Sequence, residues 1–533
     1  MSRSSTSGGG RGSAVNELAA PAPLLPEILA LHGRWQPGKE AVVDGGRRVC
    51  WPEFCAASHR FAHGLIARGI TRGDRVAVVM SNGFPMVQAL FGIMAAGAVS
   101  VPINLSVADD SLLAMLRDAD VAAVVVTADQ QARLERVSAS LPGEMRLLIT
   151  AGDAAQPWID IDALCHSQPD GLPERNLADD ALINIIYSSG TTGLPKGIAH
   201  THRGRRDWAY DLAIALRYDG AARTLLTIGL YSNISWVAML STLLCGGTLV
   251  IHPRFDAREF LATTRRERIT HTAMVPMQFQ RVIESLREQP CDVSSMRAMM
   301  SCGSPLHEDL KRELFERFPC GIIELYGLTE GIITTLQPED AEGRWSSVGR
   351  PLLGTDLCIL GEDDRVLPRG ASGEIASRGR IAMPGYWRRE DATREATYVD
   401  EQGRCWLRSG DIGYVDEQGF LYIVDRKKDM ILSGGQNIYP QDIEAVLVRH
   451  EAVDDVAVIG LPSVRWGETP VGLVVAKPGV TTETSKLLQW ANARLGRQQR
   501  LADIILLEQL PRNPNGKILK RELRKLYGER EYD

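Results

Sequence analysis

The 533-residue chain is 44% hydrophobic and 24% charged with a formal net charge of -6, the balance of an ordinary globular protein with ample core. Its basic residues are scattered among acids, which argues against a nucleic-acid partner. The nine cysteines show neither CxxC nor zinc-finger spacing, so a reducing, cytoplasmic setting is expected.

Residues 1–20 are rich in serine and glycine (SRSSTSGGGRGS) and are expected to form a disordered tail. From about Leu24 to Asp425, short β-branched runs alternate with longer amphipathic segments, which is α/β texture. Strands are predicted over 76–80, 121–127, 181–187 and 224–228, and helices over 112–117 and 260–268. The apolar stretch 86–101 is broken by Gln88, Gly92, Gly97 and Ser100. It falls short of the roughly 18 apolar residues a membrane span needs and is predicted as a buried helix. Around 403–439 glycines and charges take over, and the remainder reads helix, strand, strand, helix. The expected division is a large N-terminal domain over 21–427, with β-sheets flanked by helices, and a small mobile α+β domain over 428–533.

The segment YSSGTTGLPKG, 187–197, follows a buried-looking strand and gathers two serines, two threonines, three glycines and Lys196. Glycines let backbone N–H groups approach an anion, hydroxyls add donors and the lysine adds charge, so the loop reads as a polyphosphate cradle. Its spacing is not that of a P-loop, because five residues after Gly190 comes Pro195.

This loop resembles the signature of the adenylate-forming superfamily, which includes acyl-CoA synthetases, peptide-synthetase adenylation domains and luciferases. Further blocks similar to that family follow in order: SCGSP at 301–305, ELYGLTE at 324–330, PGYW at 384–387, SGD at 409–411, DRKKDMILSGGQNIYP at 425–440 and PRNPNGK at 511–517. The resemblance implies that Ser188, Ser189, Gly190, Thr191, Thr192 and Lys196 hold ATP phosphates. It also implies that Gly303, Ser304, Pro305, Tyr326 and Gly327 line the adenine pocket, with Glu324 accepting from the adenine amino group. Asp411 would accept from the ribose hydroxyls, with Arg426 donating to the same sugar. Thr329 would donate to the α-phosphate and Glu330, a hard oxygen ligand, would hold Mg²⁺. Lys517 would be the catalytic lysine of adenylation, Lys428 the hinge, and Ser433, Gly434, Gly435 and Trp466 the face that admits a CoA thiol. ATP and CoA are then co-substrates, and assembly as a homodimer is left open.

Many acyl-CoA ligases carry an aromatic–His pair near residue 229, where this chain has GLYSNISW, with Ser232 or Asn233 in the histidine's place. Asn233 could supply a hydrogen bond without titrating. Between Thr224 and Ile251 there is no Asp, Glu, Lys or Arg, so the ammonium of an α-amino acid would find no partner. The candidate lining residues Tyr231, Trp236, Met239, Met277, Gln278 and Phe279, with Gly327, suit an apolar acid, aromatic or fatty. An ATP-dependent carboxylic acid:CoA ligase is the leading reading. The alternatives are an acyl-AMP ligase serving a carrier protein or amine, and a non-catalytic nucleotide-binding scaffold.

Overall fold

The computed structural model describes residues 21–137, 141, 145–152, 154–187, 196–433, 436–480, 482–497, 499–513 and 516–532; the tail expected at 1–20 lies outside them. Two large sheets carry the first two thirds of the chain. One has nine strands and runs, across its width, Arg350–Pro351, Ile333–Leu336, Ile323–Gly327, Ala298–Ser301, His271–Met274, Arg223–Leu226, Thr248–Ile251, Glu40–Asp44 and Arg47–Cys50. Its six central strands are parallel. The other has seven strands, ending in an antiparallel hairpin of Leu182–Tyr187 and Gly197–Thr201. Parallel strands need crossovers, which is why β-branched runs alternate with helical segments.

A single apolar core joins the facing sides of both sheets. Val42 faces it while Val43 turns to a second cluster on the outer side, as strand alternation requires. The helices Phe84–Ala95 and Asn233–Leu244 lie in this shared core and are buried on every face, apart from Pro85 and Asn233. A helix with no solvent side must be apolar all round. Burial alone therefore accounts for the absence of charge between Thr224 and Ile251.

The predicted strand over 121–127 is observed as Val121–Thr127; the others shift by a residue or two, to Arg75–Val79, Leu182–Tyr187 and Arg223–Leu226. The expected helix over 86–101 is corrected. It spans Phe84–Ala95, turns at Gly97 with φ +74°, and re-enters the sheet as Val99–Pro102. Apolar residues alone do not distinguish a sandwiched helix from a central strand.

An antiparallel sheet over 355–426 follows, and a turn at 427–429 leads into a last sheet. This region holds the predicted helix Pro440–Leu447, strands Val453–Ser463 and Gly467–Ala476, and helix Thr484–Asn492. It also has three short strands and a C-terminal helix, Lys520–Tyr527, that the sequence reading missed. No helix among the described residues is long and apolar enough to cross a membrane.

Candidate functional site

Ala298–Ser301 and Ile323–Gly327 are adjacent parallel strands, and their carboxyl ends lie side by side at the end where ligands usually sit in such sheets. Gly303, Ser304 and Pro305 follow the first strand, and Gly303 has φ +96°, which favours glycine. Tyr326 is the penultimate residue of the second strand. Its hydroxyl donates to Asp411 Oδ2 at 2.7 Å, and Arg426 Nε lies 3.2 Å from Asp411 Oδ1. Asp411 and Arg426 face one another across the strands Cys405–Val415 and Leu421–Arg426. Lys517 comes from the far end of the chain and lies within electrostatic reach of Arg426 and Asp411. Burial, then the Arg426 charge, brings its ammonium down to about 8, against the pull of Asp411. Four residues from four sequence blocks thus converge at one place.

Thr329 and Glu330 occupy the turn beyond Tyr326. The Glu330 carboxylate accepts from Tyr386 Oη at 3.0 Å, its backbone oxygen accepts from Met383 N at 2.8 Å, and burial holds its acid above the ordinary carboxylate range. Lys196 Nζ sits 4.8 Å from the centre of the Tyr386 ring, within electrostatic reach of Glu330. Thr329 O accepts from the His200 imidazole at 2.9 Å. Ser188, Ser189, Gly190, Thr191 and Thr192, and also Gly434 and Gly435, lie outside the described residues.

Several other candidates have structural partners of their own. Glu324 is buried, with Oε2 paired to Lys311 and Oε1 accepting from Leu306 N at 3.3 Å. Breaking a buried pair of this kind costs on the order of 3–5 kcal/mol, so Glu324 anchors its strand. Trp236, Met239 and Phe279 are fully buried core residues, and Trp236 Nε1 donates to Leu230 O at 2.8 Å. Gln278 closes its own helix start through Val275 N. Met277 is 45% exposed and borders the Gly516–Lys517 turn. Among the polar pocket candidates, Ser232 caps the helix Asn233–Leu244 by accepting from Ile234 N, while Asn233 Oδ1 is buried with no partner among the described residues. Tyr231 folds back over Gly229. Gly327 is exposed.

At 427–429, Lys427 Nζ pairs with Glu374 of the antiparallel sheet at 2.9 Å, and Asp429 pairs with Arg524 of the last helix at 2.8 Å. Exposed Lys428 stands between these two anchors. Ser433 pairs in register with Gly467, which brings it beside Trp466, itself 45% exposed.

A family model described as AMP-binding enzyme matches residues 30–387, and one described as AMP-binding enzyme C-terminal domain matches 442–517. The chain belongs to the AMP-binding enzyme family. It is similar to the long-chain-fatty-acid–CoA ligase FadD13 of Mycobacterium tuberculosis, 34% identical over 489 residues, covering 90% of this chain and 93% of the relative. A feruloyl-CoA synthase of Amycolatopsis sp is also 34% identical, over 93% of this chain and 98% of its own. Among solved structures, the o-succinylbenzoate CoA synthetase of Bacillus subtilis in complex with its acyl-adenylate matches with TM-score 0.82 at 28% identity, over 94% of this chain and 98% of that one.

In this AMP-binding enzyme, sequence reasoning missed three side chains that hold the site. Tyr386 was quoted within PGYW, but nothing in the motif says that its hydroxyl meets Glu330. His200 and Arg205 belong to a strand and a helix that none of the sequence blocks marks.

Proposed function

We propose that the enzyme is an ATP-dependent carboxylic acid:CoA ligase acting on an apolar aromatic or fatty acid. The observation that carries this reading is the approach of Lys517 to Asp411 and Arg426. In the first step a carboxylate oxygen attacks the α-phosphorus of ATP, the bond to the β-phosphate breaks, and pyrophosphate leaves. Lys517 and Thr329 oppose the negative charge on the non-bridging oxygens. Tyr326 offers a ring to adenine, and Asp411, already aligned by Tyr326 and Arg426, accepts from the ribose hydroxyls. The second step forms a carbon–sulfur bond between the acyl group and the CoA thiolate as AMP departs.

Glu330 fits a magnesium ligand: it is an acid kept above its ordinary range by burial, with one oxygen on Tyr386. Mg²⁺ would take its other ligands from phosphates and water. When bound, Mg²⁺ would neutralise charge on the departing pyrophosphate.

The domain boundary at 427–428 and the hinge at Lys428 are supported by the opposed anchors of Lys427 and Asp429. Lys517 and the Ser433–Trp466 face ride on the same small domain, and we assign them to successive half-reactions reached by its rotation.

The ammonium form of Lys517 is the one that can oppose phosphate charge. For the free enzyme, kcat/KM for ATP in pyrophosphate exchange is therefore expected to fall as pH rises through about 8. Lys517→Arg, whose guanidinium keeps its charge, should be slower but lack that limb. A profile of the unsubstituted enzyme flat to pH 10 would remove Lys517 from the step.

The substrate class is tested by a panel of acids scored for AMP release with CoA present. Apolar acids are expected to exceed α-amino acids of similar size in kcat/KM, as the likeness to a long-chain-fatty-acid–CoA ligase and a feruloyl-CoA synthase supports. Faster turnover of phenylalanine than of phenylpropanoate would refute it.

A further inference from the structure

Behind the turn at 328–332 runs a buried chain of hydrogen bonds to which the two half-reactions give no part. Arg205, on the helix His202–Ala215, is 1% exposed, yet its guanidinium is held by neutral groups. Nε donates to Asn184 Oδ1 at 3.0 Å, Nη2 lies 3.2 Å from His200 Nδ1, and the rings of Trp208 and Trp236 lie 4.6 and 5.2 Å from its central carbon. Burial brings Arg205 down to about 9, which leaves it charged at neutral pH.

A guanidinium donates and does not accept. His200 Nδ1 must therefore be the acceptor, and the ring proton must sit on Nε2. That nitrogen is 2.9 Å from Thr329 O, so it donates there. Burial and the adjacent Arg205 charge hold the imidazole well below its ordinary value, which keeps it neutral and preserves this polarity. The chain has one direction: Arg205 donates to His200, and His200 donates to the Thr329 carbonyl.

The turn is otherwise closed mostly on itself, with Leu328 N donating to Ile332 O at 2.9 Å and Gly331 N to Leu328 O at 3.1 Å. From outside, Glu330 is gripped through Met383 and Tyr386, whereas Thr329 O is gripped through His200. His200 also lies on Gly197–Thr201, the strand that begins directly after Lys196. The same imidazole thus links the end of the glycine-rich loop to the turn that bears Thr329 and Glu330.

We propose that Arg205 and His200 are positioning residues for adenylation: Arg205 fixes the His200 tautomer, and His200 fixes the Thr329–Glu330 turn against the strand that follows Lys196. The proposal rests on the reading of Thr329 and Glu330 as ATP-site residues. Neither Arg205 nor His200 is assigned a contact with substrate.

The test compares two amides at position 200. In His200→Gln the amide can accept from Arg205 and still reach Thr329 O with its N–H₂. In His200→Asn the shorter side chain keeps the acceptor near the Nδ1 position but falls short of Thr329. Both variants should fold, as checked by thermal melting. His200→Gln is expected to keep kcat for ATP–pyrophosphate exchange within about threefold of the parent, and His200→Asn to lose about tenfold or more, with KM for ATP changed by less than about threefold in each. Arg205→Met, which frees the ring to move its proton to Nδ1, should lose about as much as His200→Asn. Equal rates for the two amides, whether both high or both low, would overturn the proposal, as would a folded Arg205→Met with parental kcat. Thr329→Ala is measured alongside. If it exchanges at the parental rate, the reading of Thr329 fails; if it is slow while His200→Asn is fast, only the positioning role fails.

Discussion

Replacing Lys517 by alanine should slow acyl-adenylate formation by about 10²-fold or more while sparing transfer of the acyl group from supplied acyl-AMP to CoA. The side chain is half-buried and near Asp411 and Arg426, so its removal takes a fixed charge from the place where phosphate charge develops. The paired variant is Lys428→Pro. Proline fixes φ near -65° and restricts Lys427 as well, between the anchors on Glu374 and Arg524. Adenylation should survive there and thiol transfer should fall. Pyrophosphate exchange reads the first step, and thioester yield from acyl-AMP and CoA reads the second. Loss of the same half-reaction in both variants would show that the two steps do not use alternate placements of the small domain.

Glu330→Gln should lower kcat for adenylation by about tenfold to a hundredfold and raise the Mg²⁺ concentration needed for half-maximal rate, with KM for the acid changed by less than about threefold. Glutamine can still accept from the Tyr386 hydroxyl, so the turn keeps its shape and the change isolates charge. The Glu330 acid is held above its ordinary range by burial and opposed by Lys196 and Arg426, an environment that a divalent cation would relieve. An unchanged kcat at saturating Mg²⁺ would mean that Glu330 is not the ligand.

The blocks from YSSGTTGLPKG to PRNPNGK were legible in the sequence because each packs glycines, hydroxyls or charges into a few adjacent positions, and local chemistry of that kind needs no fold to be seen. The α/β alternation was legible for a similar reason: parallel strands and their crossovers impose a short-range rhythm on apolar residues. Contacts between distant elements were not. The pairing of Glu324 with Lys311 depends on how the strands align, and the burial of Trp236, Met239 and Phe279 depends on the sheets closing over them. A charge-free stretch has the same composition whether it lines a cavity or fills a core, and only the second sheet decides which. Likewise, the sequence marked Lys517 as one lysine in a glycine turn, and its approach to Asp411 and Arg426 exists only in the folded chain, which brings residues about a hundred positions apart together. The direction of the Arg205–His200–Thr329 chain was hidden for the plainest reason: a hydrogen bond between residues 129 positions apart leaves no periodic trace in the sequence that makes it.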